Sequence, residues 1–163
     1  MNLPILTTKL HIPPARSQAV RRSHLFARLD AGLQRKLTLI SASAGSGKTT
    51  LVSEWLADGK RPIAWLSLDE GDNDPVRFLL YLVAALKNIV AVHDEGVWKA
   101  LQSPQPPPIP YILAALVNEL SSGSASFVLV LDDYHVIESQ TVHDALAFLI
   151  DNQPPTMHII ILT

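Results

Sequence analysis

The chain contains no cysteine. That removes disulfide frameworks, thiolate zinc sites and cysteine nucleophiles together, and it fits a reducing compartment. Positive charge is not in excess either. Thirteen Lys and Arg stand against 15 Asp and Glu, a formal net charge of -2, so no basic surface argues for nucleic-acid binding. A long apolar run is also missing. The most apolar stretch, Phe78 to Val92, is broken by Lys87 and Asn88 and is too short and too polar for a membrane span. Met1 to Arg16 carries Pro4 and Lys9 among its apolar residues and has neither the apolar core nor the cleavage site of a signal peptide. No internal repeat is found. These absences leave a soluble, cytoplasmic protein as the expectation.

What is present is material for a core. With 48% hydrophobic and 17% charged residues in 163, the chain has the size and composition of one folded domain and not of a disordered segment. Met1 to Ala19 is punctuated by Pro4, Pro13 and Pro14 and reads as irregular. Arg22 to Leu33 carries Leu25, Leu29 and Leu33 at a spacing of four, a helical stripe with Gly32 near its end. Leu37 to Ile40 reads as a short buried strand. Thr49 to Ala57 resumes helical spacing, and Pro62 to Leu68 is a second strand. Asp69 to Asp74 is acidic and turn-prone. Asp74 before Pro75 is a helix start, because the carboxylate can accept from free amides and proline at the first helical position gives up no hydrogen bond. That helix should run to Leu86.

Ser103 to Pro110 holds five prolines and reads as a linker or extended loop. Tyr111 to Leu120 is a helix, Phe127 to Leu131 a continuous apolar strand, Thr141 to Ile150 a helix and Met157 to Leu162 a last strand. Strands that are apolar throughout and separated by helices imply a parallel sheet covered on both faces, an α/β fold.

One strand-to-helix turn carries chemistry. Ala42-Ser43-Ala44-Gly45-Ser46-Gly47-Lys48-Thr49 fits the phosphate-loop pattern of glycine, four residues, then Gly-Lys-Ser/Thr, with alanine at the first position. Backbone amides from Ala44 to Thr50 must point inward to cradle phosphate oxygens, which small residues at Ala44, Gly45, Ser46 and Gly47 permit. The helix that follows offers its N-terminus to the anion. Lys48 places a positive charge on the β- and γ-phosphates, and the Thr49 hydroxyl can ligate Mg²⁺. A glycine-rich turn without a ligand would have the same local sequence, but a matching acidic motif lies downstream. Phe127 to Leu131 ends in Asp132 and Asp133. Asp132 would hold Mg²⁺ directly or through water, and Asp133 would orient or deprotonate an attacking water.

Other features carry less. Asp69 to Asp74 lacks the ligands of a calcium loop where Val76 and Arg77 stand, and reads as a loop with a helix cap. His135, His143 and His158 match no zinc spacing. The proline run could dock a partner groove in polyproline form, though a linker is the simpler reading.

Three segments together carry a family resemblance. They are Thr8-Lys9-Leu10 with Leu37 to Leu51 around the phosphate loop; Ala64-Trp65-Leu66-Ser67-Leu68-Asp69-Glu70 followed by Asp72-Asn73-Asp74-Pro75 and Arg77-Phe78; and Leu131-Asp132-Asp133-Tyr134-His135. They resemble the N-terminal ATPase module of large LuxR-type bacterial transcription regulators, the maltose-regulon-activator-like proteins of the STAND class, and the likeness covers nearly the whole chain. The resemblance implies a P-loop NTPase three-layer α/β/α sandwich, strand order 1-4-3-2, with a fifth strand beside the first that this chain does not reach. The first strand would then be an exposed edge prone to self-association. Residues 1–21 become an N-terminal extension and 22–163 the nucleotide-binding domain, truncated at its C-terminal end. The cofactors implied are ATP or ADP with Mg²⁺. In such proteins nucleotide state gates self-association and DNA binding by domains outside this segment, so the chain itself is expected to bind neither DNA nor membrane. Arg22 matches the position that approaches the base in this family; a solvated charge at a helix start explains it equally well. Slow or absent hydrolysis is expected, because the resemblance places a sensor residue beyond Thr163. A small-molecule kinase on the same scaffold is the competing enzyme reading, and a nucleotide-gated interaction module without turnover the competing non-enzyme one.

Overall fold

A computed structural model describes residues 3–15, 20–89 and 95–163. The irregular reading of Met1 to Ala19 therefore falls partly on residues outside those described, namely 1–2 and 16–19, and the end of the apolar stretch Phe78 to Val92 does so from residue 90 onward.

Four strands build one sheet: β1 (Leu37–Ile40), β2 (Ile63–Ser67), β3 (Phe127–Asp132) and β4 (Met157–Leu162). All pairings are parallel, in the order β1-β4-β3-β2, as the resemblance implied. The helices are α1 (Ser23–Gly32), α2 (Lys48–Ala57), α3 (Pro75–Lys87), α4 (Gly96–Gln102), α5 (Ile109–Ser121) and α6 (Gln140–Asn152). They divide between the two faces of the sheet. Alternate residues of the central strands show why those strands read as unbroken apolar runs. Val128, Val130, Ile160 and Leu162 meet α1 and α2 in one core. Phe127, Leu129, Leu131, Met157, Ile159 and Ile161 meet α3 to α6 in a second, larger core. Three layers follow, helices, sheet and helices, consistent with the P-loop NTPase sandwich.

The helix starts follow the local chemistry. Asp74 accepts from the Arg77 amide at 2.8 Å, with Pro75 opening α3. Ser139 caps α6 by accepting from the Val142 amide. α3 touches β2, α4, α6 and the short 3-10 turn Thr7–Leu10, which is why most of its surface is buried. α4 was not foreseen. It is seven residues long and buries only Val97 and Leu101, one pair at helical spacing, so the sequence offers almost no periodicity to detect. Packing against α3 and α5 supports it instead.

The two sheet edges differ. The turn Thr7–Leu10 packs beside β2. β1 has no partner strand on its outer edge among the described residues and Leu39 is 60% exposed, so the buried strand expected from the apolar run gives way to the exposed edge that the resemblance implied. Among those residues, no helix is long and apolar enough to cross a membrane.

Candidate functional site

The phosphate loop joins β1 to α2 at the C-terminal end of the sheet. Gly45 (φ 76°) and Gly47 (φ 85°) are both left-handed, a conformation that costs an L-residue about 1–2 kcal/mol. Those two positions curl the loop. Gly47 also occupies the N-cap of α2, so no side chain covers the first-turn amides, which lack intrahelical partners. Lys48 folds back over the loop, its Nζ donating to the Ala42 carbonyl at 2.6 Å and the Ser43 carbonyl at 3.1 Å. The Ser46 hydroxyl is buried with no hydrogen-bond partner among the described residues, a cost of about 1–3 kcal/mol that a ligand oxygen would relieve. These observations fit a phosphate group.

Asp132 closes β3 beside this loop. The Thr49 hydroxyl donates to Asp132 Oδ2 at 2.9 Å across 83 positions of sequence. The opposite Asp132 oxygen accepts from the Asp133 amide at 2.8 Å. Burial raises the Asp132 pKa above the usual carboxylate range; the Thr49 bond opposes this, the Asp133 charge adds to it, and the Asp133 amide and the Lys48 charge oppose it more weakly. A hydroxyl and a carboxylate at one point form a hard-oxygen pair suited to Mg²⁺. Asp133 is exposed and is the only described non-glycine residue with positive φ, at 58°. His135 is exposed as well.

Arg22 stands at the N-cap of α1 and makes no capping bond with its side chain. Its Nη2 lies 3.3 Å from where a Cβ on Gly47 would sit, so it reaches the phosphate loop. A cavity of about 510 Å³ runs from that point along β1, lined by Arg22, Arg28, Leu39, Ser41, Ser46 and Lys48. A second cavity, about 410 Å³, lies at the far end of α2 around Phe26 and Trp55 and takes no part in this arrangement. Arg22, Ser46, Gly47, Lys48, Thr49, Asp132 and Asp133 are thus brought to one end of the sheet. Ala44, Gly45 and Thr50 accompany them as parts of the same loop and helix start.

The acidic turn 69–74 does more than the expected loop and cap. Asp69 and Asp72 form a reciprocal capping box on the 3-10 turn Glu70–Asn73. Asp72 is fully buried and holds Lys9 Nζ on one oxygen and Arg77 Nε, at 3.3 Å, on the other. Lys9 also reaches Asp69 at 2.8 Å and sits over the Tyr81 ring. The hydrogen bond from Lys9 and, against the opposing effect of burial, the Lys9 charge hold the Asp69 carboxyl below its usual range. Gly71 permits the approach of Arg77, since a Cβ there would meet the guanidinium carbon at 2.7 Å. The sequence signal for this cluster was Lys9 itself, a lysine inside an otherwise apolar N-terminal stretch.

The histidines are accounted for individually. His158 is buried in β4, donates from Nδ1 to the Arg35 carbonyl at 2.6 Å and meets Thr38 Oγ1 at 2.9 Å through Nε2. Burial lowers its pKa. His143 Nδ1 pairs with the Tyr134 hydroxyl at 2.7 Å.

Comparison with known proteins bears out the likeness read from the motifs. The chain is 37% identical over 159 residues, 98% of its length, to the HTH-type transcriptional regulator MalT of Klebsiella pneumoniae subsp. pneumoniae and to that of Klebsiella pneumoniae strain 342. It is 36% identical over the same length to the HTH-type transcriptional regulator MalT of Cronobacter sakazakii. The chain spans 18% of the length of each of these relatives. No family model matches it.

Proposed function

From a chain that is similar along nearly its whole length to a segment of MalT-type regulators, we propose a nucleotide-binding switch. It takes ATP or ADP with Mg²⁺ and hydrolyses ATP slowly. The observation that carries this reading is the 2.9 Å bond from Thr49 to Asp132, which joins two motifs far apart in sequence at one point beside Lys48.

The roles follow from position. The amides of residues 44–50 surround the phosphates, and the Ser46 hydroxyl gains the partner it lacks. Lys48, now bonded to the carbonyls of Ala42 and Ser43, would exchange them for phosphate oxygens. Thr49 and Asp132 would hold Mg²⁺, whose charge would offset that of the phosphates. Asp133, exposed next to them, orients or deprotonates the water. Arg22 borders the cavity along β1 and would face the rest of the nucleotide. In a protein built like the relatives, nucleotide state would govern self-association and, through parts outside this segment, DNA binding and transcription.

Calorimetric titration of the chain with ATP and Mg²⁺, beside Lys48→Ala, tests the reading. Loss of charge-assisted bonds predicts affinity at least about tenfold weaker in the variant. A folded wild type that takes up no nucleotide, or a variant that binds equally well, would rule the site out.

A further inference from the structure

Asn73 has its own place in the structure, separate from the charge cluster beside it. Its side-chain oxygen accepts from the backbone amides of Glu138 at 2.7 Å and Ser139 at 2.8 Å. Its amide nitrogen donates to the carbonyls of Glu70 and Val136, each at 3.0 Å. An asparagine has two donors and two accepting positions, and all four are used here. Three of the four bonds cross more than 60 positions of sequence to grip one segment, residues 136–139, directly after the acidic pair.

That segment needs a grip. Asp133 is left-handed, which disfavours its conformation by about 1 kcal/mol or more unless the surroundings enforce it. Upstream, the Asp133 amide is tied to Asp132 Oδ1. Downstream, the Val136 amide returns to the Asp133 carbonyl at 3.2 Å, and the Val136 carbonyl ends on Asn73. On the other side the Tyr134 hydroxyl is held by His143. Asn73 is in turn fixed by the capping box of Asp69 and Asp72, which Lys9 and Arg77 neutralise.

We infer that Asn73 is a positioning residue for hydrolysis, holding the 133–139 segment so that the Asp133 carboxylate stands at a fixed place beside the phosphate loop. This rests on the proposed ATPase reading. In that reaction a water oxygen bonds to the terminal phosphorus as its bond to the bridging oxygen breaks; the bridging oxygen departs on ADP, and the water proton passes to Asp133 and then to the released phosphate. Asn73 touches none of these atoms and acts through the backbone. Its loss therefore separates turnover from binding, because none of its four side-chain hydrogen bonds goes to Lys48, Thr49 or Asp132.

The experiment measures Asn73→Ala against wild type by single-turnover ATP hydrolysis, Mg²⁺-ATP calorimetry and amide hydrogen exchange. Turnover is expected to fall about ten- to a hundredfold, the scale of a displaced reacting group, while nucleotide affinity stays within about threefold. Exchange at residues 136–139 should accelerate. If circular dichroism shows Asn73→Ala unfolded, Asn73→Asp carries the same test: it keeps the acceptor for both amides, loses both donors, and should show the same split to a smaller degree. An active wild type with unchanged variant turnover, unchanged protection of 136–139, or a turnover loss matched by lost affinity would overturn the inference alone. A wild type that binds ATP without hydrolysing it would overturn the inference and leave nucleotide binding standing, whereas one that neither binds nor hydrolyses ATP would overturn the proposed function, and the positioning role with it.

Discussion

The two halves of the candidate site are held in place by different means. The phosphate loop is shaped from within: two left-handed glycines, a lysine bonded to carbonyls five and six residues behind it, and a helix start left uncapped. The acidic arm is shaped from outside. Asp132 ends a fully buried strand, but the segment beyond Asp133 is gripped by Asn73, more than 60 residues upstream, and by His143 on α6. A half built locally depends on its own residue types. A half built remotely depends on the elements that support it, and the support here reaches back to Lys9 near the start of the chain.

The strongest way to break that contrast is to remove the remote support. Asp72 is fully buried and binds Lys9 and Arg77 together. Asp72→Ala leaves Lys9, itself only 8% exposed, with Asp69 as its remaining carboxylate. Removing one partner of a buried ion pair costs about 3–5 kcal/mol, and urea unfolding should register a loss of that size. A loss below about 1 kcal/mol, the range of a surface pair, would mean that the cluster is ornamental to stability.

The same contrast explains what the sequence could tell. The phosphate loop was legible because each residue type answers a requirement within a few positions of itself. β3 and β4 were legible because both of their faces are buried, and an apolar run of that length has few other uses. Asp74 was legible as a cap for the same local reason. Its neighbours were not. Asp72 and Asn73 read as a polar turn because their partners, Lys9 on one side and residues 136–139 on the other, are more than 60 positions away, and composition carries no record of that pairing. α4 escaped notice for want of periodicity, having one buried pair where a longer helix has a stripe. The strand order came from the family resemblance; the apolar pattern alone supports any parallel arrangement.

An intermediate effect sharpens the local side. Gly47→Ala puts a Cβ at φ 85° and 3.3 Å from Arg22 Nη2. The guanidinium is a flexible end that can move aside, so the backbone conformation dominates, at about 1–2 kcal/mol. The expected result is a modest drop in thermal stability together with a clear loss of nucleotide affinity in calorimetry, because the strain falls on the amides that would face the phosphates. Affinity retained at the wild-type level would show that the left-handed turn is not what shapes the loop for its ligand.

The smallest effect is expected where the two halves meet, at Asp132, and its sign is the informative part. Burial raises the pKa of this carboxyl in the folded chain. A raised carboxyl binds its proton more tightly folded than unfolded. Its favourable contribution is therefore complete below the unfolded value, about 3.9, and disappears as pH rises through the folded one. At neutral pH the folded chain carries a desolvated charge that it would be more stable without. Asp132→Asn removes the charge while keeping both contacts: the amide oxygen still accepts from the Asp133 amide, and the amide nitrogen donates to Thr49 Oγ1 in reverse of the native bond. The nucleotide-free variant should melt slightly above wild type at pH 7, with the gap closing as pH falls below the carboxylate range, and Mg²⁺ should no longer strengthen its nucleotide binding. A variant that melts lower at pH 7 would mean that attraction to Lys48 and the bond from Thr49 outweigh burial; the acidic arm would then be held by the phosphate loop as much as by its remote supports, and the division between the two halves would not stand.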